Sequence, residues 1–330
     1  MRNLVDKNGE ILFIYDATMC NPNGDPDDEN RPRMDLEQER NLVSDVRLKR
    51  YIRDYLYDYF QAKGEDQTIY VTKAEGVVQA EDRIKKVLGR DSEDSVSSAD
   101  LPILLTKLID VRLFGATMPI KGGKKGEGEG ITLTGPVQFN WGYSLNRVQL
   151  VESNTISSQF SSRQQAGQGT FGKDYRLYYS LIAFHGIISA RRVREMYKKA
   201  GENPLGATTY EDLELLDQAM LKAIPLLATR SKIGQYPRLY VRFEYIDDET
   251  FIGDLRQYLR LSEEEGLRSI QDVKLEIGGI TRYLEGMKEK INRVFVWQDL
   301  DLRTLVNGEE RTFSEMLENI LGSSKVISLV

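Results

Sequence analysis

Short apolar runs alternate with amphipathic helical stretches along most of the chain. Residues 10–19 form a β-favouring apolar run that ends at an Asn-Pro-Asn-Gly turn, and residues 39–62 repeat apolar side chains at helical spacing. Further strands are predicted at residues 68–72, within 131–151, at 175–190 and at 239–246. Helices are predicted at residues 80–89, 99–111 and 208–227. This order predicts an α+β fold: a ferredoxin-like (split βαβ) unit interrupted by long insertions.

Two polar stretches interrupt this pattern, and the last part of the chain continues it. Residues 121–130 contain five glycines and no apolar residue, which predicts a flexible loop. Residues 152–174 are rich in Ser, Gln and Gly and are predicted to project from the body. Beyond an acidic segment, the predicted elements are a strand at 272–277, a helix at 280–293, a strand at 294–297 and a helix at 314–321.

The amino-acid composition limits the cellular locations and the kinds of site that this chain is expected to have. The 330 residues are 40% hydrophobic, enough for a large core, and no apolar stretch is long enough to cross a membrane. The first ten residues lack the pattern of a secretory signal, so we expect a cytoplasmic protein without membrane contact. A single cysteine, Cys20, and a single histidine, His185, argue against a metal centre built from either residue type. We expect no cofactor, an inert buried thiol and a structural histidine.

Charge is unevenly distributed. The net charge of −6 argues against a uniformly basic nucleic-acid binder, yet Arg and Lys crowd residues 31–53. There a polar turn, residues 21–33, leads into a helix whose first turns are basic, an arrangement that presents amide donors and cations to phosphate. The alternative interpretation is a solvated helix face with ordinary ion pairs, preceded by ordinary turn chemistry.

Five short motifs occur in order along the chain. They are Asn21-Pro-Asn-Gly-Asp-Pro26 with Pro32-Arg33, Asp45-Val-Arg-Leu-Lys-Arg50, Val111-Arg-Leu-Phe-Gly115, Gly135-Pro-Val-Gln138 and His185-Gly-Ile-Ile-Ser-Ala190. Together they resemble the backbone subunit of type I CRISPR Cascade complexes, the seventh Cas family of the RAMP superfamily. The resemblance is strongest to the subtype I-B and I-C branch, and we assign I-B. It extends to about residue 240.

The resemblance implies an RRM-like palm with finger and thumb insertions. The implied palm comprises residues 1–68, 131–151 and 175–250, completed by a carboxy-terminal α/β extension at 251–330. The finger-like insertion is residues 69–130, and the thumb loop is residues 152–174.

The resemblance also implies partners. Several copies would polymerise along one CRISPR RNA and present it in segments to target DNA, as in other RNA-guided effectors. Other Cascade subunits would assemble with them, and a separate helicase-nuclease would be recruited to cut the target. The implied RNA-binding residues lie in the turn, the following helix, the glycine-rich loop and the thumb: Asn21, Asn23, Arg31, Arg33, Ser44, Arg47, Lys49, Arg50, Lys121, Lys124, Lys125, Phe160, Arg163, Phe171 and Lys173.

Other interpretations are weaker. Gly167-Gln-Gly-Thr-Phe-Gly172 matches a nucleotide-loop pattern, but no apolar strand directly precedes it and no ribose-binding acid follows. The leading alternative function is a RAMP endoribonuclease that cleaves target RNA with a loop aspartate, Asp25 or Asp35. A third is an RRM-like module that binds RNA as a monomer. We expect a non-catalytic protein with no catalytic residue and no metal site.

Overall fold

The computed structural model describes residues 4–73, 76, 79–120, 130–152, 155–158 and 170–330. These residues form eight α-helices: α1 (Asp45–Lys63), α2 (Ala80–Leu88), α3 (Leu101–Lys107), α4 (Ile109–Phe114), α5 (Ala190–Lys199), α6 (Tyr210–Leu226), α7 (Gly278–Met287) and α8 (Phe313–Leu321). The same residues form nineteen strands: β1 (Gly9–Cys20), β2 (Gly24–Asp25), β3 (Arg31–Pro32), β4 (Met34–Asp35), β5 (Arg40–Val43), β6 (Gly115–Met118), β7 (Ile131–Thr134), β8 (Val137–Phe139), β9 (Gly142–Ser144), β10 (Thr155–Ser158), β11 (Thr170–Lys173), β12 (Leu177–Ile188), β13 (Gln235–Tyr245), β14 (Arg260–Leu261), β15 (Lys274–Glu276), β16 (Ile291–Gln298), β17 (Arg303–Val306), β18 (Glu309–Glu310) and β19 (Val326–Ser328). The fold is mixed α and β, as predicted.

A nine-stranded mixed sheet forms the centre of the molecule. Its order is β19-β16-β13-β1-β12-β9-β5-β4, and β8 also pairs with β12. Strand β1 is antiparallel to both of its neighbours, β12 and β13. Four of these positions can be numbered in chain order: β1 is first, β8 with β9 second, β12 third and β13 fourth. Across the sheet they lie in the order fourth, first, third, second. Helix α1 lies between the first and second of these in the chain, and α6 between the third and fourth.

The two faces of the sheet bury different cores because side chains alternate along a strand. Phe13 and Tyr15 of β1 pack into a cluster with residues of α1, α3, α4 and α6. Leu12 and Ile14 face the opposite cluster, which is supplied largely by residues between Ile252 and Leu317. The carboxy-terminal part of the chain thus covers one face of the sheet, and it also adds β16 and β19 to one edge.

Two motif glycines allow backbone segments to touch where β6 begins and β7 ends. Gly115 has a φ of +82°, and a Cβ there would lie 2.2 Å from the carbonyl oxygen of Leu133. A Cβ on Gly135 would lie 2.4 Å from the carbonyl oxygen of Leu113. Both obstacles are main-chain atoms that cannot rotate away, so these positions require glycine for steric reasons.

The predicted strand at residues 68–72 was wrong. In this segment Thr68 makes one isolated bridge to Leu108, and no strand forms. The buried carboxylate of Asp110 accepts the backbone N–H of Tyr70 at 2.7 Å. A side chain therefore satisfies a donor that sheet pairing would otherwise use.

Several helix bounds also differ from the predictions. Helix α1 begins only at Asp45, because Ser44 caps it and residues 40–43 form β5. The helix predicted at 99–111 divides into α3 and α4 at Leu108, whose φ and ψ are −102° and 88°. Helix α7 ends at Met287, earlier than predicted, and α5 was not predicted from the sequence.

None of the helices in the described part of the chain is both long enough and apolar enough to traverse a bilayer.

Candidate nucleic-acid interface

Asn23 and Ser44 join the polar turn after β1 to the start of α1. The side-chain oxygen Oδ1 of Asn23 accepts hydrogen bonds from the N–H and the hydroxyl of Ser44, both at 2.9 Å. The Ser44 hydroxyl in turn accepts the N–H of Arg47 at 3.3 Å, which caps the helix. Both predicted contact residues therefore organise the amino-terminal end of α1, where the helix dipole favours an anion.

Asn21 has a similar internal role. Its side-chain amide donates to the carbonyl of Asn30 at 2.8 Å, and its backbone N–H donates to the carbonyl of Ser231 at 2.9 Å. The residue is buried. Asn21 thus closes the turn and connects it to the segment between α6 and β13.

Arg47 is a half-buried cation without a counter-charge among the described residues. Its guanidinium stacks on the ring of Tyr51, 3.9 Å from the ring centroid. Its Nε is buried and has no hydrogen-bond acceptor within the described chain. None of the described carboxylates lies within ion-pair distance of it, in contrast to most of the neighbouring cations. Such a charge is stabilised when an external anion binds it.

Lys232 supplies a second cation at the same place. Its Nζ donates to the carbonyls of Asn21 at 2.5 Å and Pro22 at 3.3 Å. Burial, and after it the positive charge of Arg47, lower the pKa of Lys232 to about 8. No described carboxylate pairs with it either. We call Arg47 and Lys232 the cation pair.

The segment that carries Lys232 was missed by sequence reasoning. Strands β1 and β13 are antiparallel neighbours, so the turn after β1 and the segment before β13 meet at one end of the sheet. Gly234, with a φ of +99°, allows close contact there, since a Cβ would lie 2.4 Å from the carbonyl oxygen of Thr18. The sequence feature that could have indicated this segment is its polar, basic stretch Thr-Arg-Ser-Lys-Ile-Gly at residues 229–234.

Two further arginines border this site. Arg176 donates to the carbonyl of Met19 at 2.7 Å and pairs with Asp174 at 2.9 Å. Arg230 pairs with the same carboxylate at 3.0 Å. Neither arginine was predicted, and the two share one carboxylate.

Arg33 lies between an acid and an aromatic ring. Its guanidinium pairs with Asp25 at 2.9 Å and lies 5.7 Å from the ring centroid of Trp141. Trp141 is 43% exposed, which leaves an indole surface on which a base could stack.

Arg31 and Lys173 meet at Glu29. The ammonium of Lys173 lies 2.7 Å from both carboxylate oxygens, and the guanidinium of Arg31 lies 3.6 Å from one of them. Arg31 also stacks on Tyr175, 4.8 Å from its centroid. The structure thus brings a predicted turn residue and a predicted thumb residue together.

Lys49 and Arg50 are directed to internal partners. Lys49 is only 8% exposed and donates to Asp45 at 3.0 Å and to Gln138 Oε1 at 3.1 Å. The amide nitrogen of Gln138 donates to the carbonyl of Phe114 at 3.0 Å, so Lys49 joins three of the sequence motifs. Arg50 pairs with the carboxylate of Asp54 and donates to a loop carbonyl.

Several predicted contacts lie outside the described residues: Lys121, Lys124, Lys125, Phe160 and Arg163. For Phe171 the structure describes the backbone, which pairs with Ser157 in the β10–β11 hairpin, and not the side chain. These assignments stay predictions.

The single cysteine and histidine have structural surroundings. Cys20 is fully buried, and burial raises the pKa of its thiol to about 12, which keeps it protonated. His185 Nε2 lies 3.0 Å from the buried carboxylate of Glu10. Glu10 also accepts the hydroxyl of Tyr245 and the N–H of Gly253, at 2.9 Å for the latter.

The two acids proposed for the nuclease alternative have local roles. Asp25 pairs with Arg33 and accepts the N–H of Asp27 at 3.1 Å. Asp35 accepts the backbone N–H groups of Glu37 and Gln38 at 3.0 and 3.1 Å. Within the ranges that the structure covers, no group of three or more His, Cys, Asp or Glu side chains is placed to hold a metal.

Comparison of the sequence with known families gives a clear match. The family described as CRISPR-associated protein Cas7 matches residues 7–278. A curated relative, CRISPR-associated protein Cas7 of Haloferax volcanii, is 35% identical over 311 residues. That alignment covers 88% of this chain and 86% of the relative.

Comparison of the fold with solved structures gives more distant similarities. A chain of a CRISPR RNA-guided surveillance complex in a pre-nicking state aligns with a TM-score of 0.49 and 13% identity, covering 96% of this chain and all of the other. A second CRISPR RNA-guided surveillance complex contains a chain that aligns with a TM-score of 0.48 and 14% identity, covering 96% and 99%.

Proposed function

The chain belongs to the Cas7 family of CRISPR-associated proteins, and from this premise we propose that it is a non-catalytic, CRISPR RNA-binding backbone subunit of a subtype I-B Cascade complex. Several copies line one guide RNA, hold its backbone without reading its sequence, and leave bases free to pair with target DNA. Other Cascade subunits complete the complex, and a separate helicase-nuclease is recruited to it.

The cation pair is the observation that carries this proposal. Arg47 and Lys232 lie beside the capped amino-terminal end of α1, are partly desolvated, and have no carboxylate partner in the described chain. Two like charges held together in this way favour binding of an anion. A backbone phosphate supplies that charge whatever the base, as sequence-independent binding requires.

The strand order supports the palm assignment. The order fourth, first, third, second, with antiparallel pairing around β1, is that of a ferredoxin-like unit, the arrangement of an RRM. Lys232 of the cation pair lies just before the fourth of these strands and contacts the turn after the first, and Arg47 lies in the helix that follows that turn. On this assignment residues 69–130 are the finger and residues 152–174 the thumb.

The existing partners of the Asp25 and Asp35 carboxylates favour a scaffold over an endoribonuclease. A nuclease that used Asp25 or Asp35 would need a carboxylate free to reach a metal ion or the attacking hydroxyl. The Asp25 carboxylate is paired with Arg33, and the Asp35 carboxylate accepts two backbone N–H groups of its own turn.

The direct test is the nucleic acid that the chain binds. We expect the full chain, purified and mixed with a long single-stranded RNA, to form multimers in which RNase digestion leaves protected fragments at regular length increments. Size-exclusion chromatography with light scattering and sequencing of the protected RNA measure this. A monomer that binds no RNA contradicts the proposal, and a monomer with short, separate footprints supports an isolated RRM-like module instead.

Lys232 should make RNA binding depend on pH. The charged or titratable groups near its ammonium are Arg47 and Cys20, and its pKa is about 8. A bound phosphate favours the charged form, so above pH 8 the complex holds a proton that the free protein has lost. By linkage the affinity falls as the pH rises, by up to about tenfold per pH unit above that pKa.

Fluorescence anisotropy with labelled oligoadenylate from pH 7 to 9 at constant ionic strength measures this effect. Oligoadenylate is suitable because adenine does not titrate in this range. The Lys232→Met variant should bind more weakly at pH 7 and show a flatter profile. An equally steep profile in that variant would assign the pH dependence to another group.

A further inference from the structure

Three of the candidate RNA-binding cations are already paired with carboxylates of the turn itself. Arg33 pairs with Asp25 at 2.9 Å, and Arg31 lies within 4 Å of both Asp28 and Glu29. Glu29 has the most contacts of these acids. It also accepts both Lys173 at 2.7 Å and the hydroxyl of Tyr175 at 2.5 Å.

The backbone of the turn holds Glu29 in this position. Glu29 and the following Asn30 both adopt left-handed conformations, with φ values of 47° and 62°. The N–H of Asn30 donates to the carbonyl of Asp25 at 2.8 Å, and its carbonyl accepts the side chain of Asn21. Two successive non-glycine residues in this region are unusual, and the bonds around them hold the Glu29 side chain towards Lys173.

The contact joins two separate elements. Lys173 ends β11, which pairs with β10 in a two-stranded hairpin outside the nine-stranded sheet. Glu29 lies in the turn between β2 and β3. Hydrogen bonds from Lys173, and then from Tyr175, lower the pKa of Glu29, so its carboxylate stays charged at neutral pH. The turn and the base of the hairpin are therefore connected through one exposed anion.

We propose that Glu29 is an internal competitor of RNA phosphate. Its carboxylate pairs with Lys173 and Arg31 in the free chain, and a backbone phosphate takes its place when RNA binds. This inference rests on the proposed function. Because the exchange returns one carboxylate to solvent, each RNA contact at this point gains less free energy than a contact with an unpaired cation. The competitor therefore lowers the affinity for any nucleic acid that cannot contact several cations at once.

The matched comparison is Glu29→Gln with Asp27→Asn. Both remove one negative charge from the same turn and preserve side-chain size, but Asp27 pairs with none of the described cations, and its backbone N–H donates to Asp25. Exposed ion pairs are weak, so we expect Glu29→Gln to bind a short single-stranded RNA about three- to tenfold more tightly than wild type at low salt. Asp27→Asn should stay within about twofold.

Salt dependence is the second readout. A carboxylate released on binding recruits a cation from solution, which offsets part of the counterion release. The slope of log affinity against log salt should therefore be steeper in Glu29→Gln than in wild type, by up to about one. Adding Lys173→Gln to Glu29→Gln should remove most of the gain in affinity, because Lys173 is the main cation that the first substitution frees.

The outcomes separate this inference from the proposed function. A wild-type chain that binds no RNA rejects both. A wild-type chain that binds RNA while Glu29→Gln binds no better than Asp27→Asn rejects only the competition. Weaker binding by Glu29→Gln also overturns it, since Glu29 would then order the turn for RNA. Faster trypsin cleavage after Lys173 in RNA-free Glu29→Gln would support the contact itself, and unchanged cleavage would count against it.

Discussion

Replacing Arg47 and Lys232 together by alanine should reduce the affinity of the chain for single-stranded RNA by on the order of 100-fold at moderate salt. Each side chain offers a charged donor to phosphate, and neither has to leave any of the described carboxylates before it binds. This distinguishes the pair from Arg31, Arg33 and Lys173, which are neutralised in the free chain. Anisotropy titrations with a labelled oligonucleotide measure the loss.

The salt dependence of RNA binding should also change in the double variant of Arg47 and Lys232. Removing two phosphate contacts on a single strand should make the slope of log affinity against log salt shallower by about 1.4. A control that removes the same charge elsewhere is Lys274→Ala with Arg303→Ala, two neighbouring positions of β15 and β17 on the carboxy-terminal part of the chain. Equal losses in the two double variants would show a general charge effect and reject the cation pair as a site.

Arg112→Ala should be strongly destabilising, with a loss of about 3–5 kcal/mol in the free energy of unfolding. Arg112 is 2% exposed and donates to both carboxylate oxygens of Asp212, at 3.2 and 2.9 Å. It also donates to the carbonyl of Leu105 and to the side chain of Gln67. Without it, Asp212 keeps a buried carboxylate with no described cation beside it, and the side-chain hydrogen bonds between α4 and the start of α6 are lost.

Urea unfolding followed by circular dichroism measures this loss. The control is Arg303→Ala, an exposed arginine paired with Glu310, for which we expect a change below about 0.5 kcal/mol. A loss below about 1 kcal/mol for Arg112→Ala would mean that the surrounding structure rearranges to solvate Asp212.

The local sequence pattern predicted those helices and strands whose conformation does not depend on distant residues. Strands β1 and β12 and helices α2, α6 and α8 lie where apolar periodicity and capping residues indicated. Residues 68–72 read as a strand because their composition is β-favouring, yet Asp110, far along the chain, takes the donor that a strand would pair. A side chain that replaces a sheet partner leaves no trace in the local sequence.

The candidate site was predicted only in part, because some of its features depend on contacts between residues that are distant in the sequence. Turn chemistry located residues 21–33, since a turn depends on neighbours in the sequence, and the family resemblance supplied Ser44. The sequence of the helix did not distinguish Arg47, Lys49 and Arg50 as candidates, because all three are basic and lie close together. Only the packing of α1 directs Lys49 to Gln138 and leaves Arg47 without an acidic partner in the described part of the chain. Lys232 required knowledge that β13 pairs with β1.

The pairing of β1 also has a consequence for synthesis of the protein. Both neighbours of this first long strand, Leu177–Ile188 and Gln235–Tyr245, are translated much later. While the ribosome adds the intervening residues, the apolar sequence Ile-Leu-Phe-Ile of the nascent chain lacks both of its native strand partners. Nascent polypeptides of this kind aggregate readily unless chaperones bind them, and several copies translated from one messenger would expose the same sequence close together.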